Sequence, residues 1–264
     1  MKNNIALIIL EIVCISMISS VFLVSCQSNE KPLLGSGSIS DNSIAMDILH
    51  IRSSASVDYT IIEETFTDIS HKNSSVKIKY PQLNSDKRDY SKTNQLIKDT
   101  IHDFLNYDYG DNYTDLTLDV DYQITMKNDA LISIVFDGLG NVITAAHPNN
   151  ILFSVNIDLE NSSKVRLQDI YTVDNEFVDT YKENFLQKTA TEKSSIIDNY
   201  SNDELFELLR ESDDFTNGVY SYITDEKLVI SFAVPHAIGD HIETEINYQE
   251  ILSSLKTKDG LFGG

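Results

Sequence analysis

The chain has almost no cysteine: its two cysteines, Cys14 and Cys26, both lie near the start of 264 residues. If residues 1–25 are removed as a signal, Cys26 alone is left, at the new N-terminus. The folded part can then form no disulfide, no thiolate metal site and no cysteine nucleophile. Its stability must come from an ordinary hydrophobic core, and the 41% of hydrophobic residues are enough to build one.

Positively charged residues are also scarce. The chain has 20 Lys and Arg but 41 Asp and Glu, which gives a net charge of −21. A surface this acidic repels phosphate backbones, which excludes nucleic acid as a partner. A cationic partner is the natural complement, since attraction between opposite charges raises association rates by roughly one to three orders of magnitude at low salt. The alternative is that the acidity only keeps the protein soluble.

Common catalytic motifs are also missing from the sequence. We find no nucleophile elbow, no Gly-rich phosphate loop and no His-Glu-x-x-His pattern. We therefore expect a protein that is not an enzyme and that needs no cofactor and no metal.

Only one long hydrophobic run is present, at residues 5–24, and it follows a short, weakly basic lead. The motif Leu23-Val24-Ser25-Cys26 closes this run and resembles the lipobox of bacterial lipoproteins. The resemblance implies cleavage before Cys26 and attachment of fatty acyl chains such as palmitate to that cysteine. We expect the protein to be held by this lipid at the extracytoplasmic face of the cell membrane.

The alternative to a cleaved signal is a permanent transmembrane anchor, because residues 5–24 are long enough to span a bilayer. Glu11 lies inside the run, and a carboxylate at that depth costs about 2.5–3.5 kcal/mol. A transient signal tolerates this cost better than a permanent span does.

The remaining chain divides into four predicted segments. Residues 26–57 are rich in Ser, Asn and Gly and are predicted to form a flexible tether. Residues 58–140 and 141–255 are predicted to form two closely associated halves, and residues 256–264 a tail. Strand and helix patterns are mixed in both halves, which favours an α+β fold with mainly antiparallel sheets and helices packed on one face.

Periodicity places the individual elements. Alternation and short apolar runs predict strands at residues 59–66, 76–81, 116–126, 130–136, 142–145, 151–159, 219–223, 228–234 and 241–247. Apolar residues at helical spacing predict helices at residues 91–105, 175–188, 202–211 and 248–255. Pro81 is expected to end the second strand.

Three stretches of the sequence are similar to one known family. Residues 145–171 run from Ala-Ala-His-Pro-Asn to Val-Arg-Leu-Gln-Asp-Ile-Tyr, and residues 233–251 contain Ala-Val-Pro-His-Ala-Ile-Gly-Asp. In this order they resemble the RsiV-type domain of unknown function. Residues 76–83 and the helix that follows resemble the companion domain that commonly precedes it.

This resemblance implies an extracytoplasmic module that binds a ligand in the cell envelope. In some relatives the domain lets a membrane anti-sigma factor capture lysozyme, and in others it lies beside a peptidoglycan deacetylase. We carry over binding and expect neither sigma-factor signalling nor deacetylation. The expected ligand is a basic, lysozyme-type muramidase, followed by a cell-wall glycan; the alternative function is a peptidoglycan-modifying hydrolase or a deacetylase accessory.

The candidate binding residues are His147, Pro148 and Asn149 in one predicted turn, and His236 just before another. Exposed loops on a sheet scaffold commonly carry recognition. The alternative for His147 is a hydrogen bond to the backbone within a tight turn.

Histidine and carboxylates alternate on one predicted strand as His241, Glu243 and Glu245. Their side chains are expected on one face, where imidazole and carboxylate can hold zinc. Alternating polar residues are equally typical of a solvated strand face, and we favour that interpretation.

Two further groups of carboxylates have residue types that suit a functional site, but their spacing favours an ordinary structural role. Asp108, Asp111 and Asp115 could attract calcium, but their spacing does not fit an EF-hand loop and suits a solvated turn. Asp119 and Asp121 have the residue types of a glycosidase acid and base, yet they follow the alternation of an ordinary amphipathic strand.

Overall fold

The computed structural model describes residues 57–188 and 195–256. The predicted signal peptide, Cys26, residues 26–56 of the predicted tether and residues 257–264 of the predicted tail lie outside these ranges. Across the described ranges, no helix has both the length and the apolar character needed to cross a membrane.

The first half of the described chain forms a six-stranded sheet in which the strands follow their sequence order. Its strands are β1 (Thr60–Asp68), β2 (Ser75–Asn84), β3 (Leu116–Lys127), β4 (Leu131–Val142), β5 (Asn149–Asp158) and β6 (Ser163–Lys164). Only β2 and β3 pair in parallel. Parallel neighbours need a crossover, and helix α1 (Ser91–Tyr109) supplies it.

Helix α1 packs on this sheet through the apolar stripe that the sequence predicts. Ile97, Ile101 and Phe104 are buried, and the Phe104 ring lies flat on Phe153, with centroids 4.2 Å apart. Phe153 in turn stacks on Phe136 at 4.6 Å. Stacked rings of this size remove a large apolar area from water, so they fix the helix over β4 and β5.

The second half forms a three-stranded antiparallel sheet with its own core. The strands are β7 (Val219–Ile223), β8 (Lys227–Ala233) and β9 (His241–Asn247). The helices are α2 (Leu167–Ile170), α3 (Asn175–Lys188) and α4 (Asn202–Arg210), with 3₁₀ turns at His236–Ile238 and Tyr248–Ser254. Phe177, Tyr181 and Phe185 of α3 are fully buried, as the predicted helical stripe requires.

A row of buried polar side chains joins the two sheets. Ser154 and Asn156 of β5 donate hydrogen bonds to the carbonyl of Ser221 at 2.8 and 2.9 Å. Ser133 of β4 accepts one from the backbone N–H of Ile223 at 3.0 Å. Each bond satisfies a buried group that would cost about 1–3 kcal/mol if left alone, so β7 is held at one position across β4 and β5.

The predicted α+β class, with mainly antiparallel sheets, is confirmed. Two local predictions are wrong. Pro81 lies within β2 rather than at its end, because β1 continues to pair with β2 past Pro81, which stands opposite Glu63. On the other edge β3 pairs with β2 only up to Ile78, so no strand there needs an N–H from Pro81. Residues 142–145 do not form a strand of their own, because β4 continues to Val142 and a turn follows.

Glycine explains why β4 is longer than predicted. A Cβ atom on Gly138 would lie 2.2 Å from the carbonyl oxygen of Asp119, so β3 and β4 approach there more closely than any other residue allows. The glycine thus lies within a continuous strand instead of ending it. The predicted boundary between residues 140 and 141 falls inside β4 and stays a prediction.

Candidate functional site

Two turns meet at one end of the molecule and bring two predicted binding residues together. His147 lies in the turn between β4 and β5, and His236 lies in the turn between β8 and β9. Their imidazole rings stack with centroids 5.3 Å apart and planes inclined by 13°. Both residues are exposed, so the pair forms a flat aromatic surface open to solvent.

Asp240 fastens these two turns to each other. Its Oδ1 lies 2.9 Å from Nδ1 of His236, and its Oδ2 accepts the backbone N–H of Asn150 at 2.8 Å. Burial raises the pKa of Asp240, but the hydrogen bonds from Asn150 and His236 outweigh that effect and leave the pKa below its usual value. The carboxylate is therefore charged at neutral pH and fixes the position of both turns.

The other two predicted binding residues, Pro148 and Asn149, are exposed, and neither lines one of the two grooves next to this site. The alternative for His147, a hydrogen bond to the backbone, is not found among the described residues, where its ring contacts His236 instead.

A cleft opens beside the stacked histidines, between the two sheets. It consists of two grooves, of about 370 and 470 Å³, that share Asn150, Ile151, Leu152 and His241 as lining residues. The imidazole of His241 thus faces the cleft, and its Nδ1 is buried without a hydrogen-bond partner in the described structure.

The smaller groove, which we call the Asp108 groove, has aromatic walls. Phe104, Phe215 and Tyr220 form one side, and Tyr107 and Asp108 lie at the end of α1. Phe215 is 6.3 Å from Phe104 and 5.8 Å from Tyr220, measured between ring centroids. These contacts make the wall a continuous aromatic surface.

Tyr107 is held in place although it is 54% exposed. Its hydroxyl donates a hydrogen bond to the carbonyl of Thr216 at 3.0 Å, across the mouth of the Asp108 groove. An exposed tyrosine fixed in this way offers contact area at little entropic cost.

Asp108 has no hydrogen bond and no ion pair among the described residues. The residue is exposed, and partial desolvation of its carboxyl in the groove raises its pKa to about 6. The nearby cations Lys164 and Arg166 are engaged elsewhere, with Asp103 at 3.0 Å and Asp214 at 3.8 Å. Asp108 is therefore an anion without a partner.

Charge in the cleft has one sign. Among the residues that the structure describes, no lysine or arginine lines either groove, whereas four carboxylates do: Asp108, Asp240, Asp137 and Glu243. A concave surface lined by acids alone attracts cations more strongly than a flat surface with the same charges.

A buried carboxylate, Asp213, supports the wall that carries Phe215. It accepts hydrogen bonds from the backbone N–H of Leu167 at 2.8 Å and from Oγ of Ser221 at 2.7 Å, and a further one from the N–H of Ser221. Desolvation raises its pKa to about 6, although these bonds act in the opposite direction. Asp213 thereby joins α2 and β7 directly before the Phe215 loop.

His241, Glu243 and Glu245 lie on one face of β9, and His241 is half-buried in the cleft. Glu243 accepts a hydrogen bond from the hydroxyl of Tyr222 at 2.5 Å, and Glu245 pairs with Lys227 at 2.6 Å. Each carboxylate thus has its own partner. Among the described residues, no group of three or more His, Cys, Asp or Glu is arranged to hold a metal ion.

The remaining carboxylates are dispersed or paired. Asp115 accepts a hydrogen bond from Asn73 at 2.8 Å, away from Asp108 in its groove. Asp119 and Asp121 lie on the exposed face of β3, where Asp121 is 3.0 Å from Lys79. Asp119 and Asp121 thus lie on an amphipathic strand, as expected, whereas Asp108 belongs to helix α1 and not to a turn.

Sequence reasoning missed most of the cleft. Tyr107, Leu139 and Ile143 are large apolar residues that are 54%, 54% and 70% exposed. Leu139 lines the larger groove, and Ile143 belongs to the turn that carries His147. Leu139 falls between the predicted strands 130–136 and 142–145, and a large aliphatic residue outside any predicted element is the signal that could have pointed to this surface.

Comparison with known proteins adds distant similarity of structure only. No family model matches the chain, and no curated protein matches it by sequence. A solved member of the DUF3298 family from Bacteroides fragilis is similar at 14% identity and a TM-score of 0.49, covering 78% of this chain and 96% of that one. A DUF3298 protein from Pseudomonas aeruginosa is similar at 11% identity and 0.45, covering 79% and 100%.

These two neighbours assign neither a ligand nor a function to the chain. The resemblance to the RsiV-type domain, the membrane anchor and the lysozyme-type ligand therefore stay predictions.

Proposed function

We propose that this chain is a membrane-anchored, extracytoplasmic binding protein that holds a basic protein of the lysozyme type in the cell envelope. Lipidated Cys26 anchors it, and the folded part captures the ligand without transforming it. The observation that carries the proposal is the cleft, because four carboxylates and no lysine or arginine line it within the described part of the chain. The net charge of −21 adds long-range attraction for a cationic partner.

The surroundings of the cleft also favour capture of a protein over hydrolysis of a small substrate. Exposed apolar and aromatic side chains form the border of the cleft: Leu139 lines the larger groove, and Ile143 belongs to the same turn as His147, whose ring stacks on His236. Protein interfaces combine such apolar patches with a charged surround that steers the encounter.

The direct test is a calorimetric titration of the purified folded part with lysozyme at low and at high salt. We expect binding at low salt that weakens but persists at high salt, because the apolar border contributes in addition to charge. A basic protein of similar size and charge but a different fold is the control, and we expect its binding to vanish at high salt. Absence of lysozyme binding at both salt concentrations contradicts the proposal.

Anchorage is tested separately. We expect Cys26→Ala to move the protein from the membrane fraction into the soluble fraction or to block its processing, and mass spectrometry of the wild type to show an acylated N-terminal cysteine. An intact Met1 terminus without lipid contradicts the lipoprotein part of the proposal.

A cell-wall glycan is the second candidate, and one observation favours it. The Asp108 groove combines exposed Tyr107 with the amides of Asn150 and Asn217, residue types that hold sugar rings and their hydroxyls. Incubation with purified peptidoglycan distinguishes the possibilities: retention on the insoluble wall supports glycan binding, and release of soluble fragments supports a hydrolase.

A further inference from the structure

We infer that the Asp108 groove is a receptor for one side-chain cation, the guanidinium or ammonium group of an arginine or lysine presented by a basic protein. The inference rests on the proposed function for the identity of the partner. It assigns the contact to one groove of the molecule and to one residue, Asp108.

The absence of a counter-charge is the first support. The acids of the sheet face have cations beside them, as Asp121 and Glu63 have Lys79 at 3.0 and 3.7 Å. Among the described residues Asp108 has none; the residue is exposed, and its carboxyl lines the groove, where partial desolvation raises its pKa. An unpaired anion of this kind is stabilised by a cation that enters, whereas a paired acid gains little.

The aromatic walls are the second support. Tyr220 lines the groove next to Asp108, and Tyr107 is held there by the hydrogen bond to Thr216, whereas Phe215 already has the ammonium of Lys164 over its ring at 5.9 Å. A cation over an aromatic face gains about 0.5–2 kcal/mol, with the larger value where water is excluded. A carboxylate beside aromatic faces matches a guanidinium or ammonium group and does not match an anion.

The dimensions of the groove fit a single side chain. Its volume of about 370 Å³ is at the lower end of the range for small-ligand sites, and it opens next to the exposed histidine pair. A protein that rests on this border can therefore place one long basic side chain in the groove.

Binding in this groove must depend on pH through Asp108. The titratable groups near it are Tyr107 and Tyr109 on its own helix, Tyr220 on β7, and Asp240 and His241 at the start of β9. The pKa of Tyr220 is raised, chiefly by burial and next by Asp108, and that of Asp240 is lowered, so neither changes charge near pH 6. An entering cation favours the charged carboxylate and must release the proton that Asp108 holds near pH 6.

The experiment compares three proteins with two probes. The proteins are the wild type, Asp108→Asn, and Asp119→Asn as the control that removes the same charge from the exposed face of β3. The probes are N-acetyl-argininamide, followed by NMR chemical shifts, and lysozyme, followed by calorimetry. Asp108 has no partner to lose, so its variant is expected to fold, which a thermal denaturation curve verifies.

We expect Asp108→Asn to weaken the binding of both probes about tenfold or more, and Asp119→Asn to change it less than about twofold. Equal binding of N-acetyl-argininamide by the wild type and Asp108→Asn overturns the inference, and so does equal binding of lysozyme. If the small probe binds in an Asp108-dependent way while lysozyme does not bind the wild type, the groove is upheld as a cation site and the lysozyme-type partner is refuted.

Discussion

Asp213 and Asp108 lie in two neighbouring regions, and desolvation raises the pKa of both to about 6. Their surroundings are otherwise opposite. Asp213 accepts hydrogen bonds from Leu167 and Ser221 inside the second half, whereas Asp108 has no partner at the mouth of a groove. The same direction of pKa shift thus accompanies a structural anchor in one region and an unpaired anion in the other.

The role of a carboxylate with a shifted pKa therefore depends first on whether its oxygens accept hydrogen bonds from the protein. A carboxylate whose oxygens already accept hydrogen bonds has little capacity for a ligand, and its removal leaves buried donors unsatisfied. A desolvated carboxylate without donors costs the fold some stability, which a bound cation can restore.

The largest effect is expected for Asp213→Ala. The substitution leaves the N–H groups of Leu167 and Ser221 buried without an acceptor, at about 1–3 kcal/mol each, so we expect a loss of roughly 2–6 kcal/mol in the free energy of unfolding. Urea denaturation measures it. Asp108→Ala is the matched control: it leaves no donor without an acceptor and removes a desolvated charge, so we expect the free energy of unfolding to stay unchanged or to rise slightly. Equal losses for both variants would show that the two carboxylates have the same structural role.

The next effect is a loss of cation binding in acid. With a pKa of about 6, the ionised fraction of Asp108 falls from about nine-tenths at pH 7 to about one-tenth at pH 5, so the affinity for N-acetyl-argininamide should fall roughly tenfold. The ionised carboxylate is the binding form, which makes the loss occur as the pH decreases. NMR titrations at both pH values measure it, and the same slope in Asp108→Asn would contradict our assignment.

A smaller effect is expected for Asp240→Ala, which removes the fastening between the two turns. We expect a loss of about 1 kcal/mol in stability and a change in the ring contact of His147 with His236. Thermal denaturation and histidine proton shifts measure these. Asp225→Ala, in the exposed turn before β8, is the control; histidine shifts that stay unchanged in Asp240→Ala would show that this carboxylate does not fasten the turns.

The smallest effect is expected on the exposed face of β3. Asp121→Asn breaks the pair with Lys79, and because exposed ion pairs contribute about 0–1 kcal/mol, the free energy of unfolding should change by less than about 0.5 kcal/mol. Raising the salt concentration should abolish even that difference. A loss as large as that for Asp213→Ala would mean that this face contains a structural carboxylate of the same kind.

Sequence periodicity predicted most of the fold because single faces are buried. The stripe Phe177, Tyr181 and Phe185 gave α3 with its bounds at residues 175–188, and the alternation around Ile242 and Ile246 gave β9. The end of β4 was predicted wrongly, because glycine is common in turns and the strand was therefore ended before Gly138. In the structure Gly138 lies within the strand, where it allows the close approach of Asp119.

The candidate site was predictable only in its parts. His147 and His236 were chosen from separate turns, and the sequence offered no reason to place their rings in contact. Asp108 was grouped with Asp111 and Asp115 as its neighbours in sequence, whereas its neighbours in space are Phe215 and Tyr220. The cleft was missed because its walls come from α1, β5, β7 and β9.

The sequence alone determined the composition of this protein: an acidic chain with almost no cysteine, one long apolar run before Cys26, and faces periodic enough to specify an α+β fold. Only the tertiary structure decided which of the many carboxylates lack a cation. The pairing of Asp121 with Lys79 and the isolation of Asp108 depend on distances of a few ångström between residues far apart in the chain, and Coulomb interactions and desolvation act over those distances.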